Sequence, residues 1–254
     1  MTTPPDGTSS ADAWGQAGVD RLTAALRTSD PTMLDQAVEL LQRAVAATSD
    51  DYAASPARLS NLGAALRTRW QHRGDPTDLA AAITALHTAV DATPAEHPNA
   101  GRFRANLGAA LISQARATGR ANDLDNAVDH LNAALAATTR QDPERADRAA
   151  NLADALVLRF ERHGHRLDLD TAIELLEAAA ATSDLAARPH LAVNLGAAYL
   201  RRHELARSTD DLTAAATLLH QTIGATDRRD PRLPSRLAML GTILSRLAEH
   251  TGDR

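Results

Sequence analysis

The chain has 254 residues, a formal net charge of −5 and no cysteine. All 27 basic residues are arginine, and they are spread along the sequence instead of forming one basic stripe. These features exclude a disulfide framework, a thiolate metal site and a cysteine nucleophile, and they argue against nucleic acid as the main partner.

Residues 1–9 are rich in Thr, Pro, Gly and Ser. They contain no basic residue and no apolar stretch, which predicts a disordered N-terminal tail and not a signal peptide. No run of 18 apolar residues follows anywhere in the chain. The sequence therefore predicts a cytoplasmic protein with no membrane partner.

From residue 10 onward, apolar residues recur at the i, i+3, i+4, i+7 spacing of an apolar helix face, as at Leu59, Leu62 and Leu66. Asp–Pro pairs at positions 30, 75, 142 and 230 predict helix starts, because the carboxylate can cap and proline needs no amide partner. No useful stretch alternates with period two, so no strand is predicted. The predicted helices span residues 10–28, 32–47, 56–73, 76–92, 99–118, 121–137, 143–163, 167–182, 187–204, 209–224 and 231–250.

Two markers reveal a tandem repeat. The segment Asn61–Leu66 returns at Asn106–Leu111, Asn151–Leu156 and Asn194–Tyr199, at intervals of 45, 45 and 43 residues. A second marker begins at Leu34, Leu79, Leu124, Leu169 and Leu212. A fixed period of this length predicts an all-α solenoid in which each unit buries its apolar face against its neighbours.

The repeat predicts one array over residues 10–254, with about 11 helices. It consists of five helix pairs and a terminal helix, at approximately 10–52, 53–97, 98–142, 143–185, 186–229 and 230–250. Residues 251–254 align with 73–76, where a second helix would start. Two expectations stay open: the array is capped there, or it is the recognition part of a longer polypeptide.

The repeated residues resemble the tetratricopeptide repeat (TPR). The resemblance rests on Leu59, Leu62, Gly63 and Leu66 in the first helix, on Ala82, Leu86 and Ala89 in the second, and on the trailing Pro94. Each unit is about 11 residues longer than the usual ~34. In this length it is similar to actinobacterial and fungal arrays that precede a caspase-like CHAT protease domain or adjoin a signalling ATPase. The arginine bias is also typical of genomes with high G+C content, as in actinobacteria.

The resemblance implies a right-handed α-solenoid whose first helices line a concave groove. Carried over by position, the residues expected in this groove are Asn61, Arg67, Asn106, Asn151, Asp154, Asn194 and Arg201. A ladder of asparagine amides could hold the backbone of an extended peptide, since an amide both donates and accepts. The alternative is that each asparagine bonds the neighbouring helix and maintains the repeat geometry.

One turn beyond the asparagines, Ala64, Ala109 and Ala197 predict a smooth floor with room for a partner helix. Asp154 is the exception, and it is either a partner for a basic ligand residue or a solvated carboxylate. TPR members with a carboxylate clamp have a basic residue directly before this asparagine. Here the preceding residues are Ser60, Ala105, Ala150 and Val193, so binding of a chaperone C-terminal carboxylate is not supported.

The chemistry in the sequence is sparse. His163, His165 and His203 could cluster along one rim, but His-Gly-His in a turn without a His-Glu-x-x-His helix is a weak metal signal. No phosphate loop, Gly-x-Ser-x-Gly elbow or dinucleotide fingerprint is present. The sequence therefore predicts no enzyme, no cofactor and no metal site.

The function expected from these features is a protein-interaction scaffold that binds a partner peptide or helix in the groove. One alternative is a sensor array that regulates a CHAT protease or an ATPase. Another is a structural element that self-assembles into homo-oligomers, and the least favoured is a small-molecule or metal-binding protein.

Overall fold

The computed structural model describes residues 10–28, 30–48, 55–230 and 232–251, so the predicted tail at 1–9 lies outside the described residues. Within these ranges the chain forms eleven α-helices and no strand, which confirms the predicted fold class. The helices are α1 (Ser10–Thr28), α2 (Pro31–Ala46), α3 (Ser55–Arg73), α4 (Pro76–Asp91), α5 (Ala100–Thr118), α6 (Ala121–Ala136), α7 (Arg145–His163), α8 (Arg166–Ala181), α9 (Pro189–Ala206), α10 (Thr209–Gly224) and α11 (Leu233–Thr251).

The chain divides into two compact units, one up to Thr138 with α1–α6 and one from Thr139 with α7–α11. The single array over residues 10–254 and its repeat boundaries stay predictions, and each unit is described separately. In the first unit α1 packs on α2, α3 on α4 and α5 on α6, and α3 also contacts α1 and α5. In the second unit α7 packs on α8 and α9 on α10, while α9 contacts both α7 and α11. None of the described helices is both long and apolar enough to cross a membrane.

Short turns fix the helix pairs as antiparallel hairpins. Gly74 follows α3 with a φ of 72°, in the left-handed region that costs glycine little. Asp75 then caps α4, because its carboxylate accepts from the backbone N–H of Thr77 at 2.9 Å. Hydrogen bonds from the Thr77 hydroxyl and backbone lower the pKa of the Asp75 carboxyl. The predicted cap at position 75 is therefore present.

Two of the four Asp–Pro pairs act differently from the prediction. Asp142 accepts from the backbone N–H of Glu144, and α7 begins only at Arg145. Asp230 likewise accepts from the N–H of Arg232, and α11 begins at Leu233. In both places the carboxylate closes a turn before the helix instead of capping its first turn.

Close helix contacts form the core of the first unit. Leu41, Leu86 and Leu131 on the second helices are fully buried, and each faces a glycine of the preceding helix. A Cβ added at Gly63 or Gly108 would lie 2.5 Å from the Cγ of the facing leucine. The helices of these hairpins can approach so closely because glycine has no side chain.

An arginine–aspartate ion pair recurs in three hairpins and connects the two helices across the turn. In each case an arginine on the first helix donates two hydrogen bonds to a buried aspartate nine residues later, at 2.6–3.0 Å. The pairs are Arg69–Asp78, Arg159–Asp168 and Arg202–Asp211. Sequence analysis missed them, although the Arg-x8-Asp spacing is visible in the chain. The bidentate geometry fixes the relative position of the two helices.

Candidate partner-binding face

The predicted groove residues on the first helices share one degree of burial. The four asparagines and the residues one turn after them are all half-buried, whereas residues such as Leu62, Ala65 and Leu66 beside them are buried. We call this set the first-helix stripe: Asn61, Ala64, Asn106 and Ala109 in the first unit, and Asn151, Asp154, Asn194 and Ala197 in the second. On α3, α5, α7 and α9, packing leaves the stripe incompletely covered.

In the first unit the stripe asparagines hold neighbouring helices together. Asn106 Nδ2 donates to Ser60 Oγ at 3.0 Å, and Ser60 is fully buried. Asn61 Oδ1 accepts from Arg102 Nη1 at 3.2 Å. Both bonds connect α3 with α5, which favours the alternative of asparagines that maintain repeat geometry. Each bond occupies only one end of the amide, so the other end can still reach a ligand.

In the second unit, Arg201 does not lie free beside the stripe. Its guanidinium donates to Glu161 at 2.8 Å and to Glu204 at 3.0 Å. These two carboxylates offset its charge, so Arg201 is a weak candidate for binding an anionic partner. Asn151, Asp154 and Asn194 remain half-buried on α7 and α9, and their predicted role stays a prediction.

Arg67 has a different environment. It is half-buried on α3, and it makes no hydrogen bond or ion pair with the described part of the chain. Burial alone lowers the pKa of its guanidinium from the ordinary value. Arg67 is therefore a partly desolvated cation without a compensating carboxylate.

The three histidines of the predicted rim have different surroundings. His163 stacks on His165 with ring centroids 5.9 Å apart. His203 is 1% exposed, and its Nδ1 lies 2.8 Å from the Ser208 carbonyl oxygen. The centroids of the His203 and His250 rings are 4.8 Å apart. Across the described ranges, no three histidine, aspartate or glutamate side chains are grouped so that they could hold a metal ion.

Comparison with known proteins identifies the fold. No family model matches the sequence, and no curated protein sequence matches it. Solved structures do match. A thermophilic TPR protein of Thermus thermophilus has a TM-score of 0.57 and 19% identity, over 90% of this chain and 100% of that one. The Pseudomonas aeruginosa pilF structure has a TM-score of 0.55 and 16% identity, over 96% and 93%.

The nuclear import adaptor Nro1 of S. pombe matches with a TM-score of 0.60 and 14% identity, over 98% of this chain and 86% of that one. At such low identities these likenesses concern the fold alone. They agree with the paired helices and define the class: this chain is an all-helical protein with TPR-like repeats.

Proposed function

We propose that this protein is a non-enzymatic interaction module, and that a peptide or helix of a protein partner binds along the first-helix stripe. The observation that carries the proposal is the burial pattern: all eight stripe positions stay half-buried, while the residues directly before and after them are buried except for Val193. Within each unit, two successive first helices present these positions with the same exposure, which an extended ligand needs because it contacts successive repeats in the same way.

The chemistry of the stripe suits a polypeptide ligand. In the first unit Ala64 and Ala109 leave room for a partner backbone to approach. The Nδ2 group of Asn61 and the Oδ1 atom of Asn106 are the amide ends that the α3–α5 hydrogen bonds do not use. A donor and an acceptor of this kind can bind a peptide backbone regardless of its sequence.

The repeat length supports a finer version of the proposal. The ~45-residue units resemble the arrays that accompany CHAT proteases and signalling ATPases, so this chain would act in the cytoplasm as the recognition part of such a system. Sequencing the coding region on both sides of the gene tests this version. A protease or ATPase domain in the same or an adjacent reading frame supports it, and unrelated neighbours on both sides contradict it.

A second candidate, self-assembly, rests on α11. Leu237 and Leu244 lie seven residues apart on this helix and are 49% and 48% exposed. Two leucines at this spacing share one helix face, which could pack on another copy. Light scattering across a concentration series tests it with the Leu237→Glu/Leu244→Glu variant as control. A mass that rises for the natural chain and not for the variant supports self-assembly, and a constant monomer mass rejects it.

The main proposal is tested by selecting binders from a displayed peptide library and measuring their affinity by fluorescence polarisation. The test variant is Ala109→Arg, which places a long side chain on the stripe. The matched control is Ala81→Arg, at an exposed position of α4. Far-UV circular dichroism checks that both variants remain helical.

We expect Ala109→Arg to abolish binding of the selected peptides and Ala81→Arg to leave it unchanged. If no peptide can be selected, or if both variants bind like the natural chain, the first-helix stripe is not a binding site.

A further inference from the structure

In the first unit, the first helices of the second and third hairpins, α3 and α5, carry charged residues of one sign. Together α3 and α5 contain seven arginines and no acidic residue. Their partner helices α4 and α6 contain five aspartates and no arginine. The chain as a whole is acidic, so its net charge conceals this separation of charge between the first and second helices of the unit.

The arginines of α3 differ in what they bind. Arg58, Arg69 and Arg73 each donate to an aspartate of the same unit: Asp12, Asp78 and Asp35 respectively. Arg67 is the remaining arginine of this helix, and the described residues provide no partner for it. The fold therefore compensates three of these cations internally and leaves one available.

The position of Arg67 normally holds an alkyl side chain. The repeat places Leu22, Ile112, Val157 and Leu200 at the equivalent positions of the other first helices. Ile112 is 3% exposed, and Leu22 packs against the core cluster that contains Leu41 and Leu66. A guanidinium in such a position loses hydration without gaining an ion pair, so it lowers the stability of the free protein. Residues that reduce stability in this way are typical of sites that a ligand completes.

We propose that Arg67 anchors the partner by binding a carboxylate of an acidic side chain. This inference rests on the proposed function, and it names the chemistry of the ligand at the first unit's part of the stripe. Arg67 lies one turn beyond Ala64, so a peptide running over the alanine floor reaches the guanidinium. The partly desolvated setting strengthens the resulting charge-assisted hydrogen bonds, and a fork of N–H donors matches a carboxylate.

An acidic peptide fits this site better than a nucleic acid. Binding a polyanion depends on neutralising several phosphates at once. On α3 only Arg67 is unpaired among the described residues, because its other arginines are held by aspartates. One available cation on α3 suits a single carboxylate and its specific recognition.

The test varies both the peptide and the protein, and it uses the full chain throughout. The probe is the tightest peptide from the display selection, together with versions in which each Glu or Asp is replaced by Gln or Asn. Each is measured against the natural chain, Arg67→Leu, Arg67→Lys and the control Arg21→Leu, an exposed arginine of α1. Leucine is the residue that two equivalent positions already carry, so Arg67→Leu is expected to fold.

We expect the natural chain to bind the acidic peptide at least about tenfold more tightly than one of its neutral versions. Arg67→Leu should bind both equally, Arg67→Lys should retain part of the preference, and Arg21→Leu should retain all of it. Arg67→Leu should also melt at a higher temperature than the natural chain, because a desolvated charge has been removed.

Several results would overturn the inference. Selected peptides without an acidic residue, an acidic preference that survives in Arg67→Leu, or an equal loss for both peptides would each do so. If Ala109→Arg still abolishes peptide binding in those cases, the proposed function is supported although the inference fails. Displacement of the peptide by single-stranded DNA of about 20 nucleotides at physiological salt would instead identify a phosphate ligand. If no peptide binds, the proposed function and the inference fail together.

Discussion

The helix contact at Gly108 can be tested by adding one methyl group. In Gly108→Ala the new Cβ would lie 2.5, 2.9 and 3.1 Å from the Cγ, Cδ2 and Cδ1 atoms of Leu131. Leu131 is fully buried, so its side chain cannot move into solvent. Relief of the clash requires an unfavourable rotamer or a separation of α5 from α6.

The expected magnitude follows from two opposing effects. Overpacking a well-packed core costs about 1–3 kcal/mol. Replacing glycine by alanine within a helix gains about 1 kcal/mol. Because three atoms of Leu131 are involved, we expect Gly108→Ala to lower the free energy of unfolding by about 1–2 kcal/mol.

Gly196 provides the matched comparison. It occupies the equivalent position in α9, but a Cβ there would lie 3.4 Å from the nearest atom, Leu219 Cδ1. This is an ordinary contact, so the helix gain dominates and Gly196→Ala should raise the free energy of unfolding by about 0.5–1 kcal/mol. Gly241→Ala is the control, because nothing lies within 4 Å of a Cβ at that position.

Urea unfolding followed by far-UV circular dichroism measures these differences. The two glycine variants should move in opposite directions, and the separation between them should be about 1.5–3 kcal/mol. If Gly108→Ala is as stable as the natural chain, or if both variants gain equally, α5 and α6 do not approach as closely as described.

Two further predictions concern polar contacts in the second unit. Asp168→Asn weakens the bidentate pair with Arg159, so the free energy of unfolding should fall by about 1–2 kcal/mol in urea titrations; a loss below about 0.5 kcal/mol would show that solvent screens the pair. Burial and a 2.7 Å hydrogen bond to Glu177 raise the pKa of Tyr199 to about 12. The stability that the neutral Tyr199 phenol contributes is fully present below the ordinary tyrosine pKa of about 10, and it is lost as the pH rises through about 12. Ultraviolet titration of a Tyr52→Phe variant isolates this phenol, and a midpoint near 10 would contradict the buried contact.

The candidate site could be predicted only in part. The Asn-Leu-Gly motif located the first-helix stripe, because residues at the same place in each repeat face the same way. It did not show that Asn61 and Asn106 bond across the α3–α5 contact, or that Arg201 is held by Glu161 of α7. Those outcomes depend on which side chains meet between helices, and spacing along one helix does not encode that.

The sequence by itself determined the helices, their pairing and the TPR-like class, because helix periodicity, the Asp75 cap and a fixed repeat length are local or strictly periodic signals. Tertiary structure alone decided which polar groups compensate one another. Arg69 and Arg67 are two residues apart in the chain, yet the first reaches Asp78 and the second reaches no carboxylate among the described residues. The physical reason is direction: residues two apart on a helix point to different sides, so packing brings a carboxylate to one cation and none to its neighbour.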